Sequence, residues 1–132
     1  MTRRALRLLI ATARRYGMSD DPLVRQSLAQ IHAALEVARF NQLRAQSSPE
    51  RMADGPHRAA DKLSLARNLR AIGLAAERLQ GTRLTADTGE WGTFAWNSWI
   101  QGALGYRLGG GTDEVLKNLL AEKALGLPKA PA

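Results

Sequence analysis

Three consecutive glycines, Gly109 to Gly111, lead directly into Thr112, Asp113 and Glu114 and form the sharpest chemical feature of the sequence. Glycines let a backbone approach a ligand closely, and a helix N-terminus offers free N–H groups. No Gly-Lys-Ser/Thr follows, which excludes a Walker loop, and no predicted strand precedes, which excludes a dinucleotide-binding fingerprint. From spacing alone we interpret the segment as a loop with a threonine N-cap, with ligand binding as the alternative.

The other reactive side chains lack the spacing that metal binding or acid–base catalysis requires. Cysteine is absent, which excludes disulfides and thiolate ligands. His32 and His57 lie on different predicted elements, and His32, beside an apolar stripe, is predicted to be an interior or boundary side chain. The acidic pairs Asp20-Asp21 and Asp113-Glu114 are sequence neighbours, which do not face each other on a helix. Helix capping and the helix dipole explain both pairs, so no metal or catalytic site is predicted.

Three tryptophans, Trp91, Trp96 and Trp99, stand within nine positions. Trp96 and Trp99 share one face if this stretch is helical. Core packing is the first interpretation, and the wall of a pocket for a flat or apolar ligand is the alternative.

The basic residues are concentrated in the first half of the chain. Nineteen Lys and Arg against 12 Asp and Glu give a net charge of +7, and residues 1–70 hold all of the excess. No helix-turn-helix, zinc finger or aromatic RNA-binding motif accompanies this charge, and the arginines lie on several helix faces. A basic nucleic-acid-binding bundle is therefore an alternative that rests on non-specific charge alone.

The arginine-rich start of the chain predicts a helix rather than a targeting segment. Residues 1–18 carry five arginines and no acid, but the apolar run 8–13 is shorter than a secretory signal requires. An organelle transit peptide is the alternative. The longest uncharged run, 91–106, has 16 residues and is too short and polar to span a bilayer. We therefore expect a cytoplasmic protein.

The apolar residues follow helical periodicity in the first half of the chain. A first helix is predicted from about residue 3, with Leu6, Leu9, Ile10 and Ala13 on one face, and it ends before Gly17. A second helix is predicted from Pro22 to Gln46, because Asp21 is a good N-cap and proline suits the first helical position. Its predicted apolar face consists of Val24, Leu28, Ile31, Leu35 and Ala38, with Gln42-Leu43 as an extension.

The second half continues the helical pattern with shorter elements. A polar connector, Ser47 to Pro56, precedes a third predicted helix from His57 to Gln80, with Gly81 as its C-cap. A short helix is predicted around 93–101, and a last helix begins near Thr112 and ends before Gly126. No strand pattern is present. Length and pattern together predict one all-α domain of 132 residues, an up-down helical bundle.

The tail Leu108-Gly-Gly-Gly-Thr-Asp-Glu-Val-Leu-Lys-Asn-Leu-Leu-Ala-Glu-Lys-Ala-Leu-Gly-Leu-Pro128 resembles the end of an acyl-CoA dehydrogenase. The segment from Asp20 to Ala29 is similar to the start of the second helix of that family's C-terminal domain, and Ala60 to Ala66 to its third. The tryptophan-rich stretch resembles the actinobacterial branch with steroid-side-chain and related substrates. The resemblance covers about residues 4–128 and implies the C-terminal helical bundle of these flavoenzymes.

A complete member of the family carries an N-terminal helical domain and a β-domain ahead of this bundle, and the resemblance implies that both are absent here. We therefore expect a single domain, 1–132, whose first helix is cut at Met1.

The family's reaction removes two hydrogens across Cα–Cβ of an acyl-CoA thioester. A glutamate takes the α-proton and the flavin takes the β-hydride. In many members that glutamate precedes the Gly-Thr of the tail, where this sequence has Gly110. Other members place it near the start of the first helix, but residues 1–18 contain no Glu or Asp. The resemblance therefore implies no catalytic residue in this chain, which alone would be inactive.

Five residues match positions at which the family contacts FAD. Thr112 and Glu114 match residues that touch the cofactor, and Gly111 matches the close-packed glycine beside them. Tyr16 matches an aromatic residue that reaches the partner subunit's FAD, and Gln26 matches a contact on the second helix.

Two departures weaken this match. Where the family has an arginine three residues before the aromatic residue, this sequence has Ala13, although Arg14 or Arg15 could replace it. The family's Gln-x-x-Gly-Gly phosphate motif is reduced to Arg78-Leu-Gln-Gly81. The family's FAD contacts therefore carry over to this chain only in part.

The resemblance implies a domain that forms the oligomer core and contacts FAD, in a homo- or hetero-oligomer with acyl-CoA dehydrogenase subunits. The alternative is a non-catalytic helical assembly subunit that pairs with a complete dehydrogenase.

Overall fold

The computed structural model describes residues 2–47, 50, 54–86 and 89–129. In these ranges the elements are α1 (Thr2–Arg15), α2 (Pro22–Gln46), α3 (Gly55–Gln80), a 3₁₀ turn (Gly81–Leu84), α4 (Thr93–Gly105) and α5 (Asp113–Lys123). The described ranges contain no strand, so the predicted all-α class is confirmed.

The start of α2 and the end of α3 fall where the sequence predicts them. Oδ1 of Asp21 accepts the backbone N–H groups of Leu23 at 2.8 Å and Val24 at 3.0 Å, and Pro22 opens the helix. These bonds satisfy donors that have no partner inside the helix. Gly81 follows α3 at φ +54°, a left-handed conformation that glycine adopts without strain.

Two helices are longer than predicted. Helix α3 begins at Gly55 rather than His57, because Pro56 occupies an early helical position that needs no N–H partner. Helix α4 runs to Gly105 rather than Gln101. Its Ala103 is buried, so packing holds the last turn although glycine lowers its helix propensity.

Helix α3 is the centre of the bundle, since α1, α2, α4 and α5 all pack against it. Leu9 of α1, Val24 of α2 and Ile72 of α3 are almost completely buried in one cluster, together with Trp96 of α4. Helix α1 also packs on α2. Among the described residues, however, the backbones of α1 and α4, and those of α2 and α5, do not approach each other closely, and an open cleft lies at each of these two junctions.

The predicted apolar faces are buried or half-buried, except for the extension Gln42-Leu43 of the α2 face, which is exposed. His32 is exposed, so its predicted interior or boundary position is wrong. It follows the buried Ile31 by one residue and therefore points about 100° away from the core. Leu43 is also exposed, at 48%.

Candidate functional site

The glycine loop between α4 and α5 has a backbone that only glycine adopts easily. Gly110 has φ +74° and Gly111 has φ +102°. A methyl group on Gly111 would also lie 3.4 Å from Cδ2 of Leu116. The loop ends in an N-cap as predicted, because the hydroxyl of Thr112 accepts the N–H of Val115 at 3.3 Å.

Two cationic side chains that the sequence does not single out hold this loop. Nζ of Lys62, on α3, donates a hydrogen bond to the carbonyl oxygen of Gly111. Nε of Arg107 donates to Oδ2 of Asp113 at 2.7 Å, and this hydrogen bond raises the pKa of Arg107. Lys62 is 49 residues from Gly111, and the spacing of six between Arg107 and Asp113 is not a helical one. No periodic signal could have revealed either contact.

The other two residues predicted to contact FAD lie at the far end of α3. The hydroxyl of Tyr16 donates to Oε1 of Gln80 at 3.0 Å, and the guanidinium of Arg83 lies 4.5 Å from the centre of the Tyr16 ring. Gln26 is exposed on the first turns of α2. Its neighbours Val24 and Leu28 pack beside Ala75 and Leu79, the last turns of α3.

The predicted contact residues therefore form two separate groups. Tyr16 meets α3 at Gln80, whereas Gly111 meets α3 at Lys62, 18 residues earlier. At a rise of 1.5 Å per residue the two contacts are roughly 27 Å apart along the helix. The structure brings Gly111, Thr112 and Glu114 together at one end, and Tyr16 and Gln26 at the other.

The tryptophans divide between the two predicted roles. Trp96 is 5% exposed and belongs to the core. Its ring meets that of Trp99 edge to face at 6.2 Å, and Nε1 of Trp99 donates to the carbonyl of Leu69 at 3.3 Å. Trp91 is half exposed beneath the guanidinium of Arg15.

All three tryptophans also line the open space between α1 and α4, a cavity of about 550 Å³ that we name the tryptophan cleft. Its lining residues are Arg4, Ala5, Leu8, Trp91, Gly92, Ala95, Trp96 and Trp99.

Metal ligation finds no support in residues 2–47, 50, 54–86 and 89–129, where no three His, Asp or Glu side chains cluster suitably. His57 pairs with Asp61 instead, at 3.4 Å. Within the same ranges, none of the helices has the length and apolar character to cross a membrane.

Comparison with known proteins places this geometry in context. The family model described as acyl-CoA dehydrogenase, C-terminal domain, matches residues 1–125. The chain is 31% identical over 122 residues to acyl-CoA dehydrogenase IpdE1 of Mycolicibacterium smegmatis, covering 92% of this chain and 30% of that protein. It is 30% identical over 127 residues to IpdE1 of Mycobacterium tuberculosis, covering 96% and 32%. The chain thus spans about a third of the length of these curated relatives.

A solved structure shares the fold. The Tcur3481-Tcur3483 steroid ACAD superposes with a TM-score of 0.82 at 22% identity, covering 98% of this chain and 35% of that one. At this identity the likeness establishes the helical architecture alone.

Proposed function

The chain belongs to the acyl-CoA dehydrogenase family through that family's C-terminal domain, and on this premise we propose that it is the helical domain of an FAD-dependent enzyme that dehydrogenates acyl-CoA thioesters. The family match over residues 1–125 is the observation that carries the proposal. Steroid-derived acyl thioesters are the substrate class to test first, since the solved structure that shares this fold is a steroid ACAD.

The side chains near both ends of α3 have the hydrogen-bonding groups that binding of FAD requires. Near Tyr16, the exposed Arg14, Arg15 and Gln26 could donate to the pyrophosphate. At the other end, the exposed carboxylate of Glu114 could accept from a ribose hydroxyl, and the close-packed Gly111 would let the backbone approach the cofactor. Because Thr112 already caps α5, its hydroxyl would offer the cofactor only its remaining hydrogen-bonding capacity.

The distance between the two groups supports a place at a subunit interface. Side chains that meet one helix at points roughly 27 Å apart do not bind the same part of one cofactor molecule. We assign Gly111, Thr112 and Glu114 to one FAD, and Tyr16 and Gln26 to the FAD of a partner subunit. The solved structure that shares this fold is named for two gene products, Tcur3481 and Tcur3483. This name favours a hetero-oligomer.

The proton that leaves Cα would go to a base outside this chain. Gly110 stands at the position of the family's glutamate and has no side chain to accept a proton. When bound, FAD would accept the hydride from Cβ. The role of this domain is then to hold the cofactor and the oligomer together, in the cytoplasm as we infer.

A non-catalytic assembly subunit is the second candidate, and Gly110 favours it as well. In that role the chain would pair with a complete dehydrogenase that supplies every reacting group. Both candidates require association with a dehydrogenase, whereas a basic nucleic-acid-binding bundle does not.

Co-expression tests these functions directly. The chain is co-expressed with acyl-CoA dehydrogenase subunits of the same organism, and co-purification, flavin absorbance and acyl-CoA oxidation are measured. We expect a yellow complex. Tyr16→Ala and Gln26→Ala should lower its flavin content, while the exposed controls Tyr106→Ala and Gln30→Ala should not.

The readouts separate the candidates. Loss of flavin in the two variants supports the FAD-binding domain, and full flavin with unchanged activity supports the assembly subunit. Acyl-CoA oxidation by the lone chain would show that our assignment of the base is wrong. Salt-sensitive DNA binding without flavin would favour the nucleic-acid alternative.

A further inference from the structure

We propose that the open cleft between α2, α3 and α5 binds an organic phosphate, with the phosphate among basic side chains and the organic part against an apolar wall. We name this space, which has a volume of about 510 Å³, the basic cleft. None of the five residues assigned to FAD lines it, so the proposal goes beyond the proposed function. The inference rests on the charge of the lining and on the hydrogen-bond donors that it leaves unused.

Four basic side chains from three parts of the fold line the basic cleft. Arg67 and Arg70 come from α3, Lys117 comes from α5, and Arg107 comes from the turn between α4 and α5. A cleft that is lined mostly by charges of one sign focuses their field and raises the local concentration of counter-ions. The ligand that this cleft favours is therefore an anion.

Three of these cations lack a partner in the part of the chain that the structure describes. Arg67, Arg70 and Lys117 form no ion pair with any of the described residues. The spacing of four would allow Lys117 to pair with Asp113, but Arg107 already binds that carboxylate. Arg67 and Arg70 are neighbours on one face of α3, where like charges repel. A bound anion would remove this repulsion.

Arg107 is held in place and still has donors to offer. Its Nε donates to Oδ2 of Asp113 at 2.7 Å, while its two terminal NH₂ groups make no hydrogen bond to the described residues. Arginine side chains bind phosphate oxygens through two parallel hydrogen bonds. A guanidinium whose orientation is already fixed loses less conformational freedom when it binds a ligand.

The balance of charge matches a phosphate group. Asp113 lines the cleft and Glu114 is a second acid near Arg107, so two carboxylates face four cations and leave an excess of two positive charges. A phosphate monoester carries about two negative charges at neutral pH. A single carboxylate would neutralise only half of this excess.

The rest of the lining suits the organic part of such a ligand. Val37, Leu63 and Leu120 supply apolar surface. Asn41 and Ser64 are half-buried, and their side chains make no hydrogen bond to the described residues, so both can donate to the ligand. The volume lies within the range of pockets for small organic ligands, whose walls combine apolar surface with a few polar groups.

Three probes with matched parts test the site in the full chain, in metal-free buffer of low ionic strength. ADP carries a diphosphate and a nucleoside, inorganic diphosphate carries the charge alone, and adenosine carries the organic part alone. Calorimetry measures the affinities, and the Nε–H signals of a ¹⁵N-labelled sample report on the arginines. We expect ADP to shift the Arg107 signal and to bind at least about threefold more tightly than diphosphate, because the nucleoside adds apolar contact. Adenosine should not bind measurably.

Removal of single charges locates the anion. Arg70→Gln and Lys117→Gln should each weaken binding of ADP by about tenfold, because each removes a charge-assisted hydrogen bond. Arg7→Gln removes the same charge from an exposed position on α1 outside this cleft, and it should weaken binding less than about twofold. All three side chains are exposed, so we expect the variants to fold.

Addition of a negative charge gives an independent test. Ala60→Glu places a carboxylate in the basic cleft from an exposed position of α3 and should abolish binding of ADP and of diphosphate. Ala29→Glu adds the same charge at an exposed position of α2 outside the cleft and should not. Gln26→Ala, at the proposed flavin interface, should leave the binding of ADP unchanged, so this result does not depend on the assignment of FAD.

Equal weakening by Arg7→Gln and Arg70→Gln would assign binding to the net charge of the chain and would overturn the proposal. Diphosphate that binds as tightly as ADP would indicate an adventitious ion only and would overturn it as well. Loss of ADP binding in Gln26→Ala would place the nucleotide at the flavin interface, against the proposal.

Discussion

The hydroxyl of Tyr16 donates to Oε1 of Gln80 at 3.0 Å, which joins the end of α1 to the end of α3 across 64 residues of sequence. The acceptor belongs to a completely buried side chain, and the guanidinium of Arg83 covers the donor's ring. This bond ties the aromatic residue of the proposed flavin interface to a buried amide at the end of α3.

Tyr16→Phe should lower the free energy of unfolding by about 1–2 kcal/mol, because it leaves the buried carbonyl of Gln80 without a partner. Urea denaturation measures the change. Tyr106→Phe is the control, since the Tyr106 hydroxyl makes no hydrogen bond to any of the described residues. Equal stability of the two variants would mean that the hydroxyl of Tyr16 contributes nothing to folding.

Ile72→Ala should destabilise the bundle by about 2–5 kcal/mol, since its side chain is fully buried at the centre of α3 and leaves a cavity there. Leu74→Ala, two residues along the same helix and half exposed, should cost less than about 1 kcal/mol. Thermal and urea unfolding measure both. Similar losses in the two variants would contradict the central position of α3.

Gly111→Ala and Gly102→Ala should have opposite effects. Alanine at 111 meets Leu116 and a left-handed backbone, so we expect a loss of about 1 kcal/mol or more. Gly102 is helical, and no atom lies within 4 Å of an added methyl group, so alanine there should stabilise α4 by about 0.5–1 kcal/mol. Chemical denaturation of both variants checks the signs, and stabilisation by Gly111→Ala would show that the loop does not hold this conformation.

Glu36→Gln should lower the melting temperature at neutral pH and have no effect in acid. A hydrogen bond from Arg39, followed by the nearby charge of Arg3, holds the pKa of Glu36 below its ordinary value of 4.5. The stabilisation by the carboxylate is therefore fully present above pH 4.5 and is lost as the pH falls through the lowered pKa.

Melting curves of both chains from pH 7 downward measure this difference, which should be small because the pair is at the surface. Glu122→Gln is the control, since Glu122 has no ion pair among the described residues. A difference between wild type and Glu36→Gln that persists below the lowered pKa would contradict this explanation.

The helical architecture could be predicted because its signals are local. Asp21 and Pro22 mark the start of α2, and Gly81 marks the end of α3, each through backbone groups a few residues away. The apolar spacing of Leu69, Ile72, Ala76 and Leu79 gives the buried face of α3 directly. His32 was mispredicted because periodicity does not fix how wide the buried face of a helix is.

The site could be predicted only as separate residues. The family resemblance suggests that Tyr16 and Gly111 both contact FAD. The distance between these two residues, however, depends on where each of them meets α3. The contact of Lys62 with the glycine loop and the convergence of Arg70 and Lys117 on the basic cleft join distant parts of the chain. No pattern of neighbouring residues carries such information.

The central position of α3 also governs how the chain acquires its structure. Leu9 and Ile31 belong to the same buried cluster as Ile72 and Leu79, which are made much later. During synthesis α1 and α2 therefore keep apolar surface in water until residue 80 has left the ribosome exit tunnel, and a chaperone that recognises exposed leucine-rich helices would find its target in that interval.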